Sequence, residues 1–149
     1  MRWALWGLVP VFLLGCSGPG NFEAGGFDVD VVDIGTFYGN PLWLEVVPSG
    51  DFRGAQTGDL RTCSGSLTST EHDELSDALD ASYPPGPRGG RGASDTPRLR
   101  LEGTFHRGPM AGESFRFDVD PFAESSGNRV WDAVLAPLIR SEETGGCTP

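Results

Sequence analysis

The chain contains no lysine. All eleven of its basic residues are arginine, set against 21 acidic residues, for a formal net charge of −10. A surface of that sign repels phosphate backbones and anionic lipid faces, so nucleic acid is not an expected partner, despite the run Arg88-Gly89-Gly90-Arg91-Gly92. Histidine is almost absent: His72 and His106 are the two. There is also no Gly-x-Ser-x-Gly elbow, so an activated nucleophile beside a base has little to be built from. No glycine-rich loop follows a strand and opens a helix, which removes the fingerprint of nucleotide binding. His-Glu-x-x-His and Cys-x-x-Cys spacings are missing as well. No catalytic residue, no metal ligand and no cofactor is assigned, and the expectation is a protein that is not an enzyme. Asp28/Asp30 and Asp118/Asp120 each place two carboxylates on one strand face, but without the loop pattern of an EF-hand they read as solvated strand faces.

Long apolar runs are lacking too. The stretch from Trp3 to Leu14 is the obvious one, and it falls short of the roughly 20 apolar residues a spanning helix needs. Behind Arg2 it has the form of the apolar region of a secretory signal. Its end, Leu13-Leu14-Gly15-Cys16, resembles the bacterial lipobox. That resemblance implies cleavage before Cys16, thioether lipidation of Cys16 and acylation of the new N-terminus with chains such as palmitate. Several acyl chains hold a protein to a membrane firmly where one does not. Ser17 after the cysteine points to the outer membrane in a cell that has one, so the expected location is the cell envelope. The chain then divides into a lipoprotein signal peptide (1–15), the lipidated cysteine with a flexible tether (16–26) and a single α+β domain (27–149). With Cys16 lipidated, Cys63 and Cys147 remain, and in an exported chain they are expected to form a disulfide.

Alternation marks the strands. Phe27, Val29 and Val31 interleave with Asp28 and Asp30, which predicts a half-buried strand. Gly35-Thr36-Phe37-Tyr38-Gly39-Asn40-Pro41 breaks it with a turn presenting two aromatics, and Leu42 to Val47 forms a second strand that includes Trp43. Phe52 to Asp59 is punctuated by glycine and reads as either a loop or an irregular edge strand. Leu60 to Ser64 is a candidate third strand carrying Cys63. Thr68 and Glu71 have the spacing of a capping box, opening a helix to about Ser82 with an apolar stripe of Leu75, Ala78 and Leu79. His72 falls at the edge of that stripe. Tyr83 to Pro97, rich in proline and glycine, is a surface loop. A last helix, capped by Ser126 or Asn128, carries Val130, Trp131, Val134, Leu135, Leu138 and Ile139. The residues after it form a flexible tail unless Cys147 ties them down. Together these elements predict an α+β fold: a small antiparallel sheet of four to five strands, with two helices packed on one face.

The stretch from Arg98 to Asp120 is the clearest hairpin, and its charges choose its register. Only registers that keep both apolar rows inward are allowed. Setting Arg100 opposite Asp118 puts Arg98 opposite Asp120 and Glu102 opposite Arg116, so every outward pair is of opposite sign. Sliding by two residues sets Glu102 against Asp118 instead. The favoured register also pairs Leu99 with Val119, Leu101 with Phe117 and Gly103 with Phe115, whose ring can cover the glycine. Its loop runs from Arg107 to Ala111.

The glycine-bracketed turn Gly35-Thr36-Phe37-Tyr38-Gly39 between two strands, the Leu75/Leu79 helix, the hairpin and a closing helix with Leu135-Ala136-Pro137-Leu138 resemble the emfourin family of small bacterial metalloprotease inhibitors. The resemblance implies an extracytoplasmic protease as partner; the lipid anchor and the cysteine pair depart from the family pattern. The expected function is a lipid-anchored, exported binding module, in the emfourin-like case a protease inhibitor, with Phe37, Tyr38 and Trp43 as partner-binding residues. The competing expectation is a structural cell-envelope lipoprotein. A contiguous apolar patch around Phe37, Tyr38 and Trp43 favours the first, and a uniformly polar surface the second.

Overall fold

Apolar side chains at every second position need one covered face, and seven strands supply it. The computed structural model describes residues 20–23, 25–35, 41–83, 98–120 and 125–149. Its strands are β1 (Phe27–Asp33), β2 (Trp43–Val46), β3 (Asp51–Ala55), β4 (Thr62–Ser66), β5 (Leu99–Phe105), β6 (Ser114–Val119) and β7 (Cys147–Thr148). Two helices, α1 (Ser69–Ser82) and α2 (Ser125–Glu143), complete the α+β fold. The strands form one antiparallel sheet in the order β6-β5-β1-β2-β3-β4-β7. Phe27, Val29 and Val31 of β1 and Leu99 and Leu101 of β5 join Leu75 and Leu79 of α1 and Val130, Val134 and Leu138 of α2 in a single core. None of the described helices is long and apolar enough to cross a membrane.

The sheet exceeds the expected four to five strands because two segments with weak patterns pair after all. The glycine-punctuated stretch becomes β3, an interior strand between β2 and β4. Gly54 is the reason its pattern looks poor: a Cβ there would stand 2.5 Å from the Trp43 carbonyl and 2.9 Å from Leu138 of α2, so close packing demands the missing side chain. The second addition is β7, made from the expected tail. Gly145, at φ 79°, turns the chain back after α2, and Gly146 accepts a hydrogen bond from the Ser64 amide (3.1 Å). Thr62 then pairs with Thr148 and Cys63 with Cys147, and the two cysteines are joined by a disulfide.

The folded unit also reaches back into the stretch expected to be a tether. Phe22 is 2% exposed, and its ring packs edge-on against Phe27, Phe115 and Tyr83. The backbone amide of Asn21 donates to Asp80 Oδ1 (2.6 Å), which holds this entry segment against α1.

Helix α1 opens with the full capping box: the Glu71 amide donates to Thr68 Oγ1 (3.2 Å) and the Thr68 amide to Glu71 Oε2 (2.8 Å). The same carboxylate receives Arg140 of α2 through both Nε (2.7 Å) and an Nη (2.8 Å), and Arg140 also donates to the Ser66 carbonyl (2.8 Å). One ion pair thus ties the start of α1, the end of β4 and the last turns of α2. Burial pushes the Glu71 carboxyl up, but Arg140 and Thr68 outweigh it and hold the group below its ordinary range. Helix α2 starts at Ser125, so both expected caps, Ser126 and Asn128, lie inside it. Of its predicted stripe, Val130, Val134 and Leu138 are fully buried, whereas Ile139 stands 44% exposed at the rim.

The hairpin has the register its charges select. Arg100 faces Asp118, Glu102 faces Arg116, Leu101 faces Phe117 and Gly103 faces Phe115. Arg98 and Asp120 flank the ladder just beyond its paired residues. The connection is longer than expected, running from His106 to Glu113, with Gly108 and Gly112 at positive φ and the Gly112 amide closing onto the Phe105 carbonyl (2.7 Å).

Candidate functional site on the open sheet face

With the core on one side, each strand turns its alternate residues to the other, and the register arranges them in rows. Val32 of β1 lies between Arg100 of β5 and Trp43 of β2. One row along, Asp30 lies between Glu102 and Glu45, with Arg116 and Arg53 at the two outer ends. An apolar row therefore runs beside an acidic one.

Between them is a shallow concavity of about 790 Å³. Val32, Ile34, Pro41 and Trp43 wall its apolar side, Asp30, Glu45 and Glu102 its acidic side, and Arg100 stands between. Val32 (37% exposed) and Ile34 (41%) are two of the few large aliphatic side chains that the described surface leaves open, and they are neighbours here. A contiguous open patch of this kind marks a contact surface more often than scattered apolar residues do.

The arginines nearby are already committed. Arg100 Nε lies 3.2 Å from Asp118 Oδ1 and 4.0 Å from Glu102, and Arg116 Nε lies 3.1 Å from Glu102 Oε1. Asp28 is committed as well, accepting the Thr104 amide (2.9 Å) and facing His106 Nε2. Among the described residues, Asp30 and Glu45 form no ion pair. The Asp30 carboxyl is pushed above its ordinary value, first because the neighbouring strands strip part of its hydration, then because Glu45, Asp28 and Glu102 repel its charge. Among the described residues there is no group of three or more His, Cys, Asp or Glu side chains placed to hold a metal ion.

The predicted site residues fare differently. Trp43 lies on the concavity, half-buried. Phe37, Tyr38 and Cys16 lie outside the described residues. Cys63 and Cys147 meet at the opposite end of the sheet, where they are structural. His72 belongs to the packed face, 5.8 Å from the Phe27 ring, with Nδ1 3.3 Å from Ser76 Oγ. Sequence reasoning missed Val32, Ile34, Pro41 and Glu45, and took Asp30 for an ordinary solvated carboxylate. The alternation did mark Asp30 as outward-facing; what it could not carry is that β5 and β2 would set Glu102 and Glu45 on either side.

Comparison with protein-family models, with curated proteins and with solved structures found no match for the chain. The likeness to the emfourins therefore stands on its residue pattern alone.

Proposed function

We propose that this chain is a lipid-anchored, exported binding module that holds a protein partner on the open face of its sheet. The observation that carries the reading is the concavity beside Trp43, where Val32, Ile34 and Pro41 leave apolar surface open next to a row of carboxylates. The disulfide between Cys63 and Cys147 supports export, since such bonds persist in oxidising compartments. The lipobox-like Leu13-Leu14-Gly15-Cys16 supplies the anchor, and the emfourin-like pattern nominates an extracytoplasmic protease as the partner class.

Capture from the parent cell's envelope and secreted fractions tests this. The wild-type chain should retain a reproducible partner, and Trp43→Ala combined with Val32→Asp should lose it while the folded state persists by circular dichroism. A retained metalloprotease whose activity falls on titration would support inhibition. Retention of the same proteins by the double variant would reject the open face as the binding surface, and capture of nothing would leave the structural envelope lipoprotein as the better reading.

A further inference from the structure

Resting on that reading, we propose that the segment seated in the concavity is basic: an extended stretch of the partner protein that places an arginine or lysine side chain among Asp30, Glu45 and Glu102 and an apolar neighbour on Trp43 and Val32. The apolar concavity defines where something docks, and the charges around it define what.

Asp30, Glu45 and Glu102 stand directly across from one another on adjacent strands, whose backbones run about 4.8 Å apart. Like charges set directly opposite one another repel, and here Asp30 has one on each side. The arginines of the row stand at its ends, Arg116 paired with Glu102 and Arg53 facing Glu45, and Arg100 is held by Asp118, so among the described residues Asp30 in the middle has no cation of its own. An incoming guanidinium or ammonium would relieve that repulsion, while the apolar neighbour covers Trp43 and Val32. Two residues along a strand span about 7 Å, the distance between the apolar and acidic rows and also between alternate side chains of an extended peptide. The chain's net charge of −10 draws a basic segment in and turns phosphate and anionic headgroups away.

The probes are fluorescently labelled heptapeptides alternating valine and arginine, with twins carrying citrulline or glutamate in place of arginine. Anisotropy is read on the full-length chain in nonionic detergent at 0.15 M salt. The arginine peptide should bind at least tenfold more tightly than the citrulline twin, and the glutamate twin should not bind. Asp30→Asn with Glu45→Gln should lower arginine-peptide affinity at least tenfold. Asp73→Asn with Glu74→Gln, an equal charge change at exposed positions on α1, should leave it within twofold. Equal binding of arginine and citrulline peptides, no binding of any peptide, or equal effects of the two charge pairs would each overturn the proposal. The Asp30/Glu45 variant also separates the two readings in the capture experiment. If Trp43→Ala loses the cellular partner and Asp30→Asn with Glu45→Gln keeps it, the face binds but its occupant is not basic. If neither change matters, the face itself is not the binding surface.

Discussion

Replacing both disulfide cysteines, Cys63→Ala with Cys147→Ala, should destabilise the domain by between about 2 and 4.5 kcal/mol, and the structure says why a range is expected. The bridge spans 84 positions of sequence, and closing a loop of that size removes about 4.5 kcal/mol of conformational entropy from the unfolded chain. That figure applies in full only if the folded state is unchanged without the bond. Strand β7 is two residues long, pairs only with β4, and lies at the chain end, so without the bridge it has little to hold it. Fraying there returns entropy to the folded state and trims the loss toward the lower figure. Urea unfolding read by far-UV circular dichroism measures both parts. The midpoint should fall, and the slope of free energy against urea should rise, because an uncrosslinked unfolded chain exposes more surface. Amide exchange at Gly146 and Cys147 should accelerate in the variant, while that of β1, which lies between β5 and β2, should change little. A stability loss below about 1 kcal/mol, with the slope unchanged, would show that the crosslink does not constrain the unfolded chain and would refute the reasoning.

Two further changes test other joints of the fold. Glu71→Gln keeps an acceptor for the Thr68 amide but removes the charge that Arg140 binds. It should cost about 2 kcal/mol at pH 7, allowing for the partial exposure of Arg140. Because the folded-state carboxyl is held below its ordinary value of 4.5, this stability is complete above that value and lost as pH falls through the lowered one. Urea midpoints of the two proteins should therefore converge in acid, and a gap that persists unchanged to low pH would contradict the ion-pair account. Gly103→Ala would drive a Cβ into the Asp28 carbonyl and within 2.6 Å of the Phe115 ring, and should cost at least about 2 kcal/mol by thermal melting; a neutral outcome would mean that β1 and β5 are not this closely paired.

Where the information was local, the sequence showed it. The hairpin register follows from six outward charges and a glycine facing Phe115, and the capping box of α1 needs only Thr68 and Glu71. The disulfide followed from counting cysteines. What escaped was non-local. Gly54 looks like a strand breaker until Leu138, brought in by α2, occupies the space its side chain would need. Phe22 is a lone aromatic in a polar stretch, with no periodicity to mark it, and its place in the core depends on rings from β1, β5 and β6. The candidate site escaped for the same reason. Trp43 could be named because an aromatic on a short strand stands out, but the acidic row exists only because β1 is an interior strand, between a neighbour next in sequence and one from the hairpin.

That row differs in kind from the rest of the same face. The chain's acidic excess does not explain it, since on β5 and β6 the same face matches its charges, Arg100 with Asp118 and Arg116 with Glu102. One strand further in, Asp30 meets a carboxylate on both sides, and the arginines of the row lie beyond those two, Arg116 past Glu102 and Arg53 past Glu45. The Asp30 carboxyl is pushed above its ordinary value, first by burial and then by the charges of Glu45, Asp28 and Glu102. Local rules are obeyed at the hairpin and broken beside Trp43, and such breaks in an otherwise consistent fold tend to fall at functional positions. A partner that brought positive charge to Asp30 would convert the repulsion into binding free energy, without any change in the backbone that created it.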